Sequence, residues 1–163
     1  FDDKQIRKYA GSPAPFLVDK TAIQQGYVTS EPLVIERAGN FKPKLFLLAD
    51  SGYSTYGAMV LVKSDWIAKK PEVVQAFVDA SIEGWKAYLN GDAAPADALI
   101  KKGNPDMTDD ILRYARDRMK EYGIVESGDT KTLGIGAMTD ARWAEFTNEH
   151  LLARGIEASS PAV

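Results

Sequence analysis

A long amphipathic helix is predicted from Pro71 onward, and it sets the strongest limit on how the chain folds. Its apolar residues recur at intervals of three and four, which gathers them on one helix face. These residues are Val74, Phe77, Val78, Ile82, Trp85 and Leu89. Pro71 suits the first turn of a helix, and Gly91 stands where a left-handed C-terminal cap is expected. Such a face must be buried against another surface.

Further helices are predicted on both sides of this one. They are expected over Asp19 to Gly26, over Leu33 to Ala38 and over Ala94 to Lys101, with Ser64 as the N-cap of one more. Thr108 is expected to cap a helix with an inner face of Ile111, Leu112, Ala115, Met119 and Tyr122. Thr139 is expected to cap a last helix that ends at Gly155. These caps and apolar spacings predict that the second half of the chain is helical.

Three apolar runs in the first half favour buried strands: Tyr27 to Thr29, Lys44 to Ala49, and Gly57 to Val62. Runs that are apolar on both faces are typical of sheets covered by helices on each side. We therefore expect an α/β fold with a mixed sheet and flanking helices. About three strands are too few to cover all the apolar helix faces. Together with a start in mid-pattern at Phe1, this predicts a fragment that lacks an upstream half.

Composition excludes several classes of function. The chain has 163 residues, of which 45% are apolar, and its 20 basic and 23 acidic residues give a net charge of −3. This amount of apolar material suits one domain, and the mixed charges offer no basic stripe for nucleic acid. Without cysteine, and with His150 as the only histidine, neither a catalytic histidine site nor a zinc site is predicted. We expect no enzyme, metal or cofactor.

Tyrosines and one acidic residue cluster at the predicted strand ends. Tyr27 opens the first predicted strand, Ser30 and Glu31 follow it, and Tyr53 and Tyr56 lie in the loop between the other two. Open α/β sheets place ligands at such ends, where aromatic faces and a fixed acceptor suit a flat, nitrogen-bearing molecule. The structural alternative is that the tyrosines pack at a sheet edge and that Glu31 is a helix-start charge.

Four segments resemble one family of transport proteins. They are residues 13–32 (PAPFLVDKTAIQQGYVTSEP), 46–50 (FLLAD), 78–85 (VDASIEGW) and 134–143 (GIGAMTDARW). The first is the most specific. Together they are similar to periplasmic solute-binding proteins related to the nitrate, sulfonate and taurine and the thiamine-pyrimidine binding proteins. The resemblance implies two α/β lobes, of the type II periplasmic-binding-protein kind, that close around a ligand.

In that family, residues 1–43 would belong to the second lobe, 44–62 would be hinge crossover strands and 63–158 would return to the first lobe. A flexible tail would follow at 159–163. The resemblance further implies a periplasmic or lipid-anchored protein with a signal peptide upstream, which delivers its ligand to an ABC transporter permease. By position in the motif, Glu31 resembles the acid that contacts the polar edge of a thiamine-type pyrimidine. Tyr27 lies on the strand before it.

Electrostatics then favours one ligand class, because a buried carboxylate at Glu31 would repel nitrate or a sulfonate unless it were paired with Arg or Lys. We expect an amine or a nitrogen heterocycle. Three alternatives remain open: a sulfonate or nitrate binder, a thiamine-pyrimidine-synthesis enzyme, and an effector-sensing or fragmentary module. For a fragment, an apolar seam along Val74, Phe77, Trp85 and Trp143 would be covered by a second copy or by the missing N-terminal half.

Overall fold

The computed structural model describes residues 2–9, 11–53 and 55–147. Within these ranges the regular structure is helical, and its eight α-helices follow one another along the chain. They are α1 (Ala14–Val18), α2 (Glu31–Gly39), α3 (Ser64–Lys69), α4 (Pro71–Asn90), α5 (Ala94–Gly103), α6 (Asp109–Glu121), α7 (Thr130–Leu133) and α8 (Asp140–Phe146). Two short 3-10 turns lie at Asp3–Gln5 and Leu48–Ser51.

The predicted α/β fold with a mixed sheet is wrong, because the described residues contain no β-strand. Residues 27–30 form a turn in which the Ser30 N–H donates to the Tyr27 carbonyl at 2.9 Å. The runs at 44–47 and 57–62 are irregular, and their apolar side chains are largely in solvent, with Phe46 77% and Leu61 92% exposed. A strand exists only where a neighbour takes its backbone N–H and C=O groups. These runs have no such neighbour within the described part of the chain.

Most of the predicted helices are confirmed. The helix predicted over Leu33 to Ala38 is α2, which ends before Asn40 in a left-handed conformation with φ 54°. The helix that begins at Pro71 is α4, and the Thr108 helix is α6. Thr139 caps α8, where its hydroxyl oxygen accepts the Arg142 N–H. These four share apolar periodicity or a cap, which are signals carried by neighbouring residues.

Other local predictions are wrong. Residues 22–27 are irregular, where a helix from Asp19 to Gly26 was expected. Ser64 lies inside α3, so Lys63 occupies the cap position. Gly91 has φ −113°, which is not the left-handed conformation expected of it. The part of the last predicted helix beyond residue 147, His150 and the tail at 159–163 lie outside the described residues.

The apolar core is small and lies among α2, α4, α6 and the segment after α7. Its buried side chains within the described ranges are Ile35, Leu89, Leu112, Ala115 and Ile135. Polar contacts add long-range links between helices. Arg37 of α2 pairs with Asp110 of α6, and Arg116 of α6 pairs with Asp97 of α5. These two ion pairs join α2 to α6 and α5 to α6.

Much of the apolar stripe predicted to be buried on α4 is exposed. Leu89 is buried and Val74 and Ile82 are half-buried, whereas Phe77 is 58% and Trp85 39% exposed. The whole chain exposes 12853 Å², where a compact chain of 17.9 kDa exposes about 8,000 Å².

Candidate functional site

Glu31 closes the turn that precedes α2. It is the first residue of that helix, and its carboxylate Oε2 accepts the backbone N–H of Tyr27 at 2.8 Å. An acidic side chain in the first turn is favoured there, because unpaired N–H groups give the helix start a partial positive charge. We call Tyr9, Gly26, Tyr27, Ser30 and Glu31 the Glu31 turn. The structure thus gives Glu31 a local role, while its predicted ligand contact stays a prediction.

The Glu31 side chain lies close against the chain that it bonds. A Cβ atom added at Gly26 would come within 2.9 Å of the Cβ and Cγ atoms of Glu31, which is closer than carbon atoms approach each other. The Tyr9 hydroxyl donates to Glu31 Oε1 at 3.4 Å. Desolvation, the negative charge of Glu31 and this hydrogen bond together raise the pKa of Tyr9 above its ordinary 10.0. Glycine at position 26 and Tyr9 therefore help to fix the carboxylate.

The other predicted residues of this turn face outward. The Tyr27 side chain is 78% exposed, and Ser30 is exposed at the cap position of α2 without a capping hydrogen bond from its side chain. Glu31 itself is half-buried. An exposed ring and a free helix start can contact a ligand, but they do not enclose one.

Tyr53 and Tyr56 lie in a second, better-enclosed group, against α8. The Tyr56 hydroxyl accepts the backbone N–H of Thr139 at 2.8 Å, and its ring centroid lies 5.3 Å from that of Trp143. Tyr53 meets Phe146 edge to face at 6.0 Å. Such tilted and edge-on arrangements are the favoured geometries of aromatic pairs. The loop at 53–56 is thereby fixed to a helix that lies more than 80 residues further along the chain.

Arg142 is the charged residue of this second group. Its guanidinium carbon lies 4.5 Å from the Tyr56 ring centroid, within the range of a cation–π contact. Its Nη2 donates to the Thr55 carbonyl at 3.3 Å. Because the guanidinium is planar and permanently charged, it both stacks on the tyrosine and directs N–H donors at its edge.

A shallow cleft of about 310 Å³, wide open to solvent, lies beside Arg142. We call it the Arg142 cleft; its lining residues are Gly128, Asp129, Thr139, Ala141, Arg142 and Glu145. Thr139 links its two sides, since its hydroxyl donates to Asp129 Oδ2 at 3.0 Å and accepts the Arg142 N–H at 3.4 Å. Two carboxylates and one guanidinium give the lining a net charge of −1. The cleft therefore offers hydrogen-bond acceptors to an N–H-bearing ligand, with a donor beside them.

The described contacts of the five predicted residues form two groups. Glu31, Tyr27 and Ser30 share the Glu31 turn, while Tyr53 and Tyr56 belong with α8 and the Arg142 cleft. Sequence reasoning missed Asp129, Arg142 and Glu145. The signal available for Arg142 was its position next to Trp143 in the fourth segment of resemblance. Asp129 follows a glycine that has φ +54°, in a loop that offered no chemical motif.

The comparison with protein families supports, at a coarse level, the family that the first three segments suggested, while the fourth segment lies outside the matched residues. The sequence model described as NMT1/THI5 like matches residues 6–94, which is more than half of the chain. The chain belongs to the NMT1/THI5-like family. No curated protein and no solved structure matches it. All five predicted ligand residues of this NMT1/THI5-like chain lie within the matched range, whereas the lining of the Arg142 cleft lies beyond it.

In the described ranges, no helix is long and apolar enough to cross a membrane. The same ranges contain no group of three or more His, Cys, Asp or Glu residues placed to hold a metal ion. A second, open surface depression of about 420 Å³ is lined by the exposed residues Leu61, Val62, Lys63 and Trp66. Glu31 lines neither this depression nor the Arg142 cleft.

Proposed function

We propose that this chain is a solute-binding component of an ABC importer, acts outside the cytoplasmic membrane, and captures a small nitrogen-bearing aromatic metabolite of the thiamine-pyrimidine type. The observation that carries the proposal is the family match over residues 6–94, which fits a solute-binding or thiamine-pyrimidine-related role. Binding of this kind makes and breaks no bond. Its mechanism is a shift of population toward the ligand-closed form, which the permease then engages.

The Arg142 cleft supports the ligand class. At about 310 Å³ and open to solvent, it can contact one edge of a small ligand, whereas a complete small-molecule site encloses most of its ligand. An aminopyrimidine presents an amino donor and a ring nitrogen acceptor on one edge. Asp129 and Glu145 supply carboxylate acceptors for the amino group. We propose that the ligand's amino edge lies against these two residues.

The same charges argue against an anionic ligand. Nitrate and a sulfonate offer acceptors only, so the carboxylates of Asp129 and Glu145 would repel them at short range. Arg142 alone supplies the opposite charge among the lining residues. The predicted preference for an amine or nitrogen heterocycle, made on Glu31, thus receives independent support from a different pair of acids.

Calorimetric titration of the chain with an aminopyrimidine, methanesulfonate and nitrate tests the proposal. The aminopyrimidine should bind most tightly, and Asp129→Asn should weaken it by at least tenfold, because a hydrogen bond to a charged group contributes about 1.5–3 kcal/mol. Asparagine still accepts from Thr139, so the cleft keeps its shape. Asp117→Asn, at an exposed position of α6, is the matched control and should leave affinity unchanged. Preference for methanesulfonate or nitrate would overturn the ligand class.

A catalytic role has its own assay. Incubation of the chain with iron and a pyridoxal-type substrate should give no pyrimidine product if the chain only binds. Product formation above a no-protein blank would replace the binding function with thiamine-pyrimidine synthesis. The transport role is tested with the permease in vesicles, where the ligand-loaded chain should raise ATP hydrolysis and the ligand-free chain should not. Equal hydrolysis with both forms would refute it.

A further inference from the structure

Thr139 joins the loop at 53–56 to the lining of the Arg142 cleft. Its backbone N–H donates to the Tyr56 hydroxyl at 2.8 Å. Its own hydroxyl donates to Asp129 Oδ2 at 3.0 Å and accepts the Arg142 N–H at 3.4 Å. Tyr56, Asp129 and Thr139 are all half-buried. A chain of hydrogen bonds therefore runs from Tyr56, through Thr139, to a carboxylate that lines the cleft.

The chemistry of the partners sets the direction of each hydrogen bond at the Thr139 hydroxyl. A backbone N–H can only donate, and an ionised carboxylate can only accept. The hydroxyl therefore accepts from Arg142 and gives its one proton to Asp129. A rotation of the Thr139 side chain about χ1 would break both hydrogen bonds. Thr139 thus fixes the position of Asp129 Oδ2.

Asp129 is held at its backbone as well. Its carbonyl accepts two backbone N–H groups of α7, at 3.2 and 2.9 Å. Gly134 and Gly136 follow α7 with φ +98° and +85°, a conformation that glycine adopts without strain, and the chain returns through them to Thr139. No group in the described part of the chain donates to Asp129 Oδ1. One oxygen of a fixed carboxylate is therefore left for a donor in the cleft.

We propose that Thr139 is the positioning residue of the Arg142 cleft and that Tyr56 holds it in place, so that Asp129 Oδ1 meets the amino group of the ligand. The inference rests on the proposed function, because it takes Asp129 as an acceptor of that amino group. A carboxylate that is already ordered binds more tightly than a mobile one, because fewer side-chain conformations are lost when the ligand binds.

Tyr56 would then act on the ligand without contacting it. Its ring is packed against Arg142 and Trp143, with distances of 4.5 and 5.3 Å, and its hydroxyl accepts from Thr139. Tyr56 is also absent from the lining of the cleft. The hydrogen bonds through Thr139 connect Tyr56, which lies in the range matched by the family, with Asp129, which lies beyond it.

NMR titration of the full chain with 4-aminopyrimidine and with pyrimidine, which lacks the amino group, provides the test. The wild-type chain should bind 4-aminopyrimidine more tightly. Thr139→Val keeps the size of the side chain but removes its hydroxyl, so it should weaken 4-aminopyrimidine about fivefold and change pyrimidine by less than about twofold. Thr139→Ser keeps the hydroxyl and should bind both ligands as the wild type does. A merely structural role would weaken both ligands alike.

Two further variants identify the route of the effect. In an Asp129→Asn background, Thr139→Val should cause less than about twofold further loss, because residues that act as one unit do not have additive effects. Tyr56→Phe removes the acceptor of the Thr139 N–H and should weaken 4-aminopyrimidine selectively, by about threefold. Tyr122→Phe makes the same change at an exposed position after α6. This control should leave both affinities unchanged.

The outcomes separate this inference from the proposed function. Equal loss for both ligands in Thr139→Val, or the same loss with Asn at position 129 as with Asp, overturns the positioning role and leaves the proposed function standing. A wild-type chain without preference for 4-aminopyrimidine overturns the ligand class, and this inference with it. Should circular dichroism show that Thr139→Val loses helix content with its α8 cap, Tyr56→Phe decides, because it leaves the capping hydroxyl in place.

Discussion

Replacing Arg116 with methionine is expected to destabilise the helical part of the chain strongly, because Arg116 joins three helices. Its Nη1 lies 2.6 and 2.7 Å from the two carboxylate oxygens of Asp97 in α5 and 3.3 Å from the Tyr88 hydroxyl in α4. The Arg116 and Asp97 side chains are only 18% and 13% exposed. Burial opposes the charge on Arg116, but its hydrogen bonds to Tyr88 and Asp97 outweigh that effect and raise its pKa.

The size of the effect follows from the burial of Asp97. Methionine keeps most of the apolar stem of the side chain but leaves the carboxylate without its partner. Removing one member of a buried pair costs about 3–5 kcal/mol, and the lower end applies here because neither side chain is completely buried. The free energy of unfolding falls by about 2 kcal/mol for each molar of urea. A loss of about 3 kcal/mol in this free energy therefore lowers the urea concentration at the unfolding midpoint by about 1.5 M.

Urea unfolding followed by circular dichroism measures this shift. Arg113→Met, at an exposed position of the same helix, is the control and should change the free energy of unfolding by no more than about 0.5 kcal/mol. The double variant Arg116→Met with Asp97→Leu should recover part of the loss, since it removes the unpaired charge. If Arg116→Met and Arg113→Met unfold at the same urea concentration, the ion pair does not hold these helices together.

Two further predictions concern the Glu31 turn. Glu31→Gln should lower the pKa of Tyr9 toward 10.0, as measured by tyrosinate absorbance with Tyr9→Phe as the blank; an unchanged titration would contradict the contact. Because the pKa of Tyr9 is raised in the folded state, Tyr9 contributes to stability below pH 10, and this contribution is lost as the pH rises through the raised pKa. Gly26→Ala should displace Glu31, so amide exchange at Tyr27 should become faster than in Gly57→Ala, where nothing lies within 4 Å of the added atom and φ is not in the left-handed region; equal rates would refute this.

The success of the helix predictions and the failure of the strand predictions have one physical cause. A helix satisfies its N–H and C=O groups within four residues, so Pro71 before a periodic apolar face, or Thr139 as a cap, is nearly sufficient evidence. A strand needs a partner from elsewhere, and an apolar run such as residues 57–62 does not say where that partner is. The sequence therefore indicated that these residues are apolar, but not how they are arranged.

The candidate site shows the same difference between contacts that are local in sequence and contacts with distant residues. Glu31 contacts Tyr27, four residues away, and both were predicted together from one stretch of sequence. Tyr56 was predicted as a site residue, but its partners Thr139 and Arg142 are more than 80 residues distant, and nothing in their local sequence connects them with Tyr56. The place of the Asp129 carboxylate in the site could not be predicted from the sequence for the same reason. A residue whose chemistry depends on distant neighbours cannot be identified from its own sequence context.

Some residues of the candidate site lie inside the range that matches the NMT1/THI5-like family and others lie outside it, and this bears on how ligand choice varies within the family. The matched range at 6–94 includes Tyr53 and Tyr56, which fix the loop against α8, but the Asp129 and Glu145 carboxylates lie outside it. Aromatic packing is indifferent to the charge of a ligand, whereas two carboxylates strongly favour N–H donors over anions. If the Arg142 cleft binds the ligand, a family member that shares residues 6–94 but carries basic residues at positions 129 and 145 should select an anion. Ligand class would then follow from the cleft and not from family membership.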